Sequence, residues 1–355
     1  MHLVVLGGDT PFALPIILEL ERKGYIVITS VSTSEATDYL EAQCKGYVKA
    51  LVLDPFEVCA FIYFLSVFFA LMQLQPETVQ PFLRSLGAAL SRKFPIKAAG
   101  DPFASPSSIP HIHSVISLLS LSAPVPNLYA PLEHVSLRNT YVPYLTATQI
   151  TPLQVIQALL PLLRTGSTRS RDIGKQSIVV CLSATDAHVG LPFASVQAMS
   201  AAGMLRAIEI LRREINIASL TDKADSMQNI KVVIVDVGSF NIGPATNADL
   251  SECIYKSMDD WSASEKLVYG PAFMAVVHEK PPIANGWDRI KSIFQHGYQY
   301  GVPRKPTDLS VLARGLMDVV DGSSKCFGYD IGLGFIHNWI QGNRFSVGAG
   351  GESMY

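Results

Sequence analysis

Ser177–Leu182 reads SIVVCL, and SATDAHVGLPFASVQAMSAAGMLRAIEILRREI follows from Ser183 to Ile215. The first run is short, apolar, rich in β-branched residues and free of charge. That is the pattern of a strand buried on both faces, as strands of a parallel sheet are. The second run opens as a loop, with Asp186, Gly190 and Pro192, and then places Ala, Met, Leu and Ile at helical spacing. A buried strand, a loop and a long helix of small residues make up one half of a strand–helix–strand unit, and this half decides the fold.

The same alternation continues on both sides. His2–Leu6 is an apolar strand ending at Gly7-Gly8-Asp9-Thr10. Pro15–Lys23 reads as a helix with Ile16, Ile17 and Leu20 inward and Glu19, Glu21, Arg22 and Lys23 outward. Gly24 stands at its end, where a positive φ is needed. Strands are expected at Tyr25–Ser30, Tyr47–Leu53, Ser114–Leu121 and Ile230–Val237. Helices are expected at Glu35–Ala42, Thr78–Phe94, Pro152–Arg164 (kinked at Pro161), Asp249–Lys280 and Thr307–Val320, with Thr307 as N-cap. Phe327–Gly334 reads as a final strand. Pro124–Tyr144 carries four prolines and little period, so it reads as irregular. The fold class is α/β: a Rossmann-like, doubly wound, mainly parallel sheet with helices on both faces.

These stretches resemble the short-chain dehydrogenase/reductase superfamily, over residues 1–56 and 76–245. Within it, the GG-D-x-P turn, LELERKGYIV, PETVQPFLRSL and SATDAHVGLPFASVQAMSAAG are similar to a fungal branch of unknown function (domain of unknown function 1776). The resemblance implies an oxidoreductase by ancestry, with NAD(P) as cofactor. The superfamily's catalytic pattern is G-x-P-x-x-x-x-Tyr-x-x-Ser-Lys. Gly190, Pro192 and Ser200 fit it, which puts Gln197 at the Tyr and Ala201 at the Lys. The catalytic Ser position falls on Ala184, with Ser183 and Thr185 beside it, and the Asn position on Thr148. A phenol sharpened by an ammonium donates the proton in that mechanism. An amide and a methyl cannot. Ser183 and His188 are the candidate substitutes, with Asp186 and Tyr144 near the same cleft. The expectation is a catalytically degenerate protein that binds a small molecule or a protein partner; a non-standard NAD(P)-dependent oxidoreductase acting on a carbonyl or hydroxyl is the alternative.

The superfamily's Thr-Gly-x-x-x-Gly-x-Gly turn corresponds to Leu6, Gly7, Pro11 and Ala13. Only Gly7 keeps its glycine, and Pro11 removes an N–H that could meet phosphate. Cofactor contacts fall on Gly7, Gly8, Asp9, Thr10, Ser32, Asp54 and Gly238. The second strand ends in Ser30, Val31, Ser32 and Thr33 without a carboxylate, so NADP is slightly favoured over NAD. Asp54 stands where an adenine contact is expected, or is simply a turn former before Pro55.

The chain has 355 residues, 48% of them hydrophobic, and a net charge of −2. A nucleic-acid footprint is therefore not expected. Five scattered cysteines without C-x-x-C spacing point to a reducing compartment, and no metal-ligand pattern is present. The domain reading is a Rossmann-like unit over 1–245, a helical substrate-region extension over 246–345 with Trp261, Leu267 and Phe273 as lid residues, and a tail over 346–355. Val58–Gln75 is a charge-free stretch of 18 residues, close to the roughly 20 that span a bilayer. Three readings stand: a retained intron, a buried or interfacial helix, or a membrane span. Membrane association follows only from the last two; otherwise the cytoplasm is expected. Relatives commonly pair through the helices beside the site, so the resemblance allows a homodimer.

Overall fold

The computed structural model describes residues 1–56, 79–90, 112–121, 123, 125, 128–167, 176–190, 192–221, 230–238, 240–241, 258–259, 261–277, 307–321 and 344–347. The apolar stretch 58–75 and the strand expected at 327–334 lie outside these residues. No helix among the described residues is long and apolar enough to cross a membrane.

The elements in chain order are β1 (His2–Leu6), α1 (Ala13–Arg22), β2 (Ile26–Val31), α2 (Ser34–Gln43), β3 (Val48–Val52), α3 (Val79–Leu90) and β4 (Ile112–Ser117). A helical run over 137–167, here α4, follows. Then come β5 (Gln176–Ser183), α5 (Ala184–His188), α6 (Ser195–Thr221), β6 (Ile230–Val237), β7 (Phe240–Asn241), α7 (Ala263–Val277), β8 (Thr307–Asp308), α8 (Leu309–Val320) and β9 (Arg344–Val347). The main sheet has seven strands in the order β3-β2-β1-β4-β5-β6-β9, and every pairing is parallel. The order reverses direction between β1 and β4. That is where an open α/β sheet forms a crevice at its carboxyl edge.

Alternate strand residues feed two separate cores. Val4, Leu6, Ile28, Val115, Val180 and Ile234 face α3, α4 and α6, meeting Phe82, Leu86, Ile156, Leu159, Met204 and Ile208. Leu3, Val5, Val27, Val179 and Val235 face the opposite side and meet Ile16, Ile17 and Leu20 of α1 and Leu312 and Leu316 of α8. Both faces are covered, so strands without polar alternation are stable. Gly24 adopts φ +88° behind α1, as expected.

Several expectations are corrected. Glu21 is buried, not outward: its Oε1 accepts from the Lys45 and Tyr47 backbone N–H at 2.8 and 3.1 Å and ties α1 to the turn before β3. Residues 124–144 are not wholly irregular. A 3₁₀ turn covers Leu132–His134. α4 then starts with a π turn at Leu137–Tyr141, an α turn at Val142–Leu145 and a second π turn at Thr146–Ile150, before the regular Thr151–Ser167. The loop expected after β5 contains α5. Thr307 belongs to a short strand paired with Phe240 rather than capping α8. Ser346 and Val347, expected in a frayed tail, pair with Asp236 and Val237 of β6. That edge strand is short enough to carry no apolar run of its own.

Candidate functional site

The carboxyl edge gathers most of the residues that the sequence singles out. At β1, Gly7 turns the chain with φ +89° and donates its N–H to Ser30 Oγ at 2.8 Å. Gly8 donates to the Ser30 carbonyl at 2.6 Å. A Cβ on Gly8 would stand 2.3 Å from Thr29 Oγ1, so this glycine lets the turn lie against β2. Thr10 Oγ1 donates back to the Gly7 carbonyl at 2.7 Å. Asp9 reaches across to the end of β2, where its Oδ2 accepts from Ser32 N at 2.8 Å and Ser32 Oγ at 2.5 Å. A carboxylate thus stands at the end of the second strand although β2 supplies none. Asp54 Oδ1 accepts from Phe56 N at 2.9 Å, which is turn-forming geometry. Gly238 is exposed directly after β6.

Whether a dinucleotide suits this edge depends on its two halves. The close Gly8–β2 approach and the Asp9–Ser32 pair suit an adenosine ribose. The Ser117 and Ser120 hydroxyls at the end of β4 are buried without a partner. The diphosphate half is less well furnished. Pro11 and Pro15 lack N–H groups around the start of α1, whose N-cap Phe12 makes no side-chain cap bond, and the Asp9 charge adds repulsion.

Beyond β5 the edge is differently equipped. Gln197 and Ala201 lie on the first turns of α6 and are both buried. Thr148, in the second π turn of α4, shares a 2.7 Å hydrogen bond with Ser200 and donates to the Tyr144 carbonyl at 2.7 Å. Both hydroxyls are thereby occupied. Ser183 Oγ accepts from Asp186 N at 3.4 Å across the start of α5. His188 does not join Ser183. Its Nε2 lies 3.3 Å from Oδ1 of the buried Asp236 on β6. Ala184 adds no polar group of its own. No cluster of metal-ligating side chains exists among the described residues.

Three titratable groups converge here. Burial raises the Asp186 carboxyl above its usual range, partly offset by Ser183. Burial also raises the Tyr129 phenol, helped by the Asp186 charge. The Tyr144 phenol is raised by burial, then by Asp186 and Tyr129. The Tyr129 hydroxyl lies beside the Gln197 amide without meeting hydrogen-bond geometry, for both Gln197 polar atoms lack a partner. Tyr144 and Asp186 are legible from sequence. Tyr129 is not, because it sits in a proline-rich stretch without period. Its position is fixed by the next residue, since Ala130 N donates to the Phe193 carbonyl at 3.0 Å. Phe193 itself has φ +65°, a strained value for a bulky residue.

α7 covers the outer side of this region. Ser262 and Glu265 form a reciprocal cap, with Ser262 N donating to Glu265 Oε2 at 2.7 Å and Glu265 N donating to Ser262 Oγ at 3.2 Å. Glu265 Oε1 also meets His134 Nδ1 at 3.1 Å. Trp261 and Phe273 are buried against Ala130 and Phe193, whereas Leu267 is 81% exposed. An open hollow of about 570 Å³ lies alongside, lined by Pro131, Leu132, Glu133, Phe193 and Tyr269.

Residues 107–298 match the model of a fungal family described as of unknown function, DUF1776. No curated protein matches the chain significantly by sequence. Among solved structures, the chain is similar to NAD+-bound xylitol dehydrogenase, with a TM-score of 0.54 and 13% identity over 98% of this chain and 97% of that one. It is also similar to an NADPH-bound short-chain oxidoreductase from Pseudomonas aeruginosa PAO1, described as containing an atypical catalytic center. There the TM-score is 0.53 and the identity 13%, over 100% and 97% of the two chains. A putative betaketoacyl-ACP reductase gives a TM-score of 0.52 and 12% identity, over 100% and 98%. The fold is that of short-chain dehydrogenases/reductases.

Proposed function

The chain belongs to the fungal family of unknown function DUF1776, and from that premise we propose that it binds a ligand at the carboxyl edge of a short-chain-dehydrogenase fold without that fold's usual turnover. One observation carries the reading. Gln197 and Ala201 are buried on α6, and the sequence pattern matches them to the phenol and ammonium of the resembled family. A side-chain amide does not titrate in the working range, and Ala201 brings no charge to sharpen a neighbour. A positioned acid or base is worth about 10²–10⁴-fold in rate, so its loss removes ordinary carbonyl reduction. The nearby groups that could stand in are engaged elsewhere. His188 is turned to Asp236, and Thr148 to Ser200.

A dinucleotide is the ligand that the ancestry suggests, and the relatives solved with NAD+ and NADPH support it in general terms. Gly7, Gly8, Asp9, Thr10 and Ser32 would hold its adenosine end. When bound, it would supply or accept a hydride. The Asp9 carboxylate at the end of β2 favours NAD over NADP, reversing the slight preference drawn from β2 alone. It would accept from a ribose hydroxyl and would repel a 2′-phosphate.

A second reading rests on the Tyr129, Tyr144 and Asp186 convergence. Asp186, whose carboxyl burial shifts upward, could replace the missing phenol as proton donor in a non-standard oxidoreductase. Calorimetry with NAD(H) and NADP(H), followed by a carbonyl panel with either reduced cofactor, divides the two. Binding without cofactor oxidation supports the first reading. Carbonyl-dependent oxidation that disappears in Asp186→Asn refutes it and establishes the second.

A further inference from the structure

The open hollow beside α7 is walled by three segments, each following the carboxyl end of a different strand. Pro131, Leu132 and Glu133 come after β4, Phe193 after β5 and Tyr269 after β6. Open α/β sheets bind their ligands outside this edge. The volume of about 570 Å³ falls within the roughly 300–1,000 Å³ of small-molecule sites. One wall is held in an unfavourable backbone conformation: Phe193 has φ +65°, a costly value for a bulky residue. Two contacts keep it there. Its carbonyl accepts from Ala130 N at 3.0 Å, and its ring meets Phe273 edge to face with centroids 5.1 Å apart. Such strain clusters where the placing of a side chain serves a ligand.

The chemistry of the walls is one-sided. Four of the five lining residues are apolar or aromatic, and the fifth, Glu133, is a carboxylate. Leu132 is 65% exposed, an apolar surface that a ligand would cover. The Tyr269 phenol lies against the Glu133 carboxylate. Among the described residues no Lys, Arg or His forms an ion pair with Glu133. Two nearby cationic side chains are directed elsewhere: Lys266 Nζ donates to the Asp259 carbonyl at 3.3 Å, and His134 Nδ1 meets Glu265 at 3.1 Å.

We propose, resting on the binding reading above and naming its ligand class, that this hollow takes an organic ammonium ion carrying an apolar group. The cation sits between the Glu133 carboxylate and the Phe193 and Tyr269 rings, and the apolar group covers Pro131 and Leu132. An aromatic ring attracts a cation through its quadrupole, and a carboxylate attracts it more strongly in a partly enclosed hollow than in bulk water. Competing ligands fit less well. A carboxylate ligand meets the like charge of Glu133. A neutral ligand gains only the apolar contact. A hard metal ion needs several oxygen ligands, and no cluster of metal-ligating side chains exists among the described residues.

Titration calorimetry on the full chain without cofactor, using benzyltrimethylammonium chloride, benzyl alcohol and sodium benzoate at equal ionic strength, tests this. Benzyltrimethylammonium should bind in the millimolar range or better, with benzyl alcohol at least tenfold weaker and benzoate silent. Glu133→Gln keeps the shape of an exposed side chain, so it should melt at the wild-type temperature and lose ammonium binding at least tenfold. Tyr269→Phe keeps the ring and should bind within about threefold of wild type, whereas Tyr269→Leu should lose at least fivefold. No binding of the ammonium, equal binding of benzyl alcohol, or an unchanged affinity in Glu133→Gln overturns the proposal. Carbonyl-dependent cofactor oxidation, measured separately, overturns the underlying reading alone, so the two failures are distinguishable.

Discussion

Gly8→Ala separates a glycine kept for phosphate from a glycine kept for packing. The new Cβ would stand 2.3 Å from Thr29 Oγ1 and 3.1 Å from the Ser30 carbonyl. Thr29 is fully buried on β2, and its Oγ1 donates to the Val5 carbonyl at 3.0 Å. Making room means rotating Thr29 and breaking that bond, about 1 kcal/mol, on top of about 1–3 kcal/mol for overpacking. The single variant should lose about 2–4 kcal/mol. Thr29→Ala alone should cost about 1–2 kcal/mol, from the lost bond and buried methyl. In the double variant the 2.3 Å contact no longer exists, so the cost should stay close to that of Thr29→Ala. The coupling should therefore be about 2–4 kcal/mol, the whole cost of Gly8→Ala, read by urea unfolding of all four proteins. Additive losses within about 0.5 kcal/mol, or a fully stable Gly8→Ala that has lost dinucleotide binding, would refute the packing account.

Further outcomes follow from named groups. Burial raises the Asp186 carboxyl, so its contribution to stability is greatest below the ordinary carboxylate range. That contribution is lost as pH rises through the raised value; Asp186→Asn should flatten that part of a stability-against-pH curve. Glu265 is shifted the other way, first by the Ser262 backbone N–H. The cap on α7 should therefore weaken as pH falls through the lowered value, seen as faster amide exchange over 263–277, and Ser262→Ala should produce the same loosening at neutral pH. Leu312→Ala, at a fully buried position on α8, should cost about 2–5 kcal/mol in unfolding free energy. Asp9→Asn should narrow the preference for NADH over NADPH at least tenfold in calorimetric dissociation constants.

The sheet was readable because its strands are buried on both sides, which leaves continuous apolar runs such as SIVVCL and IKVVIVDV. The helices that pack on it show a 3.6-residue stripe. Where the backbone leaves that period, the reading failed. The two π turns in 137–150 each shift the following side chains around the helix axis, so no single template fits Leu137–Ile150. Glu21 was misplaced for a different reason. A charged residue on a surface helix reads as outward, and its acceptor role depends on N–H groups at Lys45 and Tyr47, 24 and 26 residues away. In the site, Gln197, Ala201 and Thr148 were legible through the resemblance to the superfamily's catalytic pattern. The pairing of Asp9 with Ser32 and of His188 with Asp236 was not, because each joins elements that only the parallel sheet brings together.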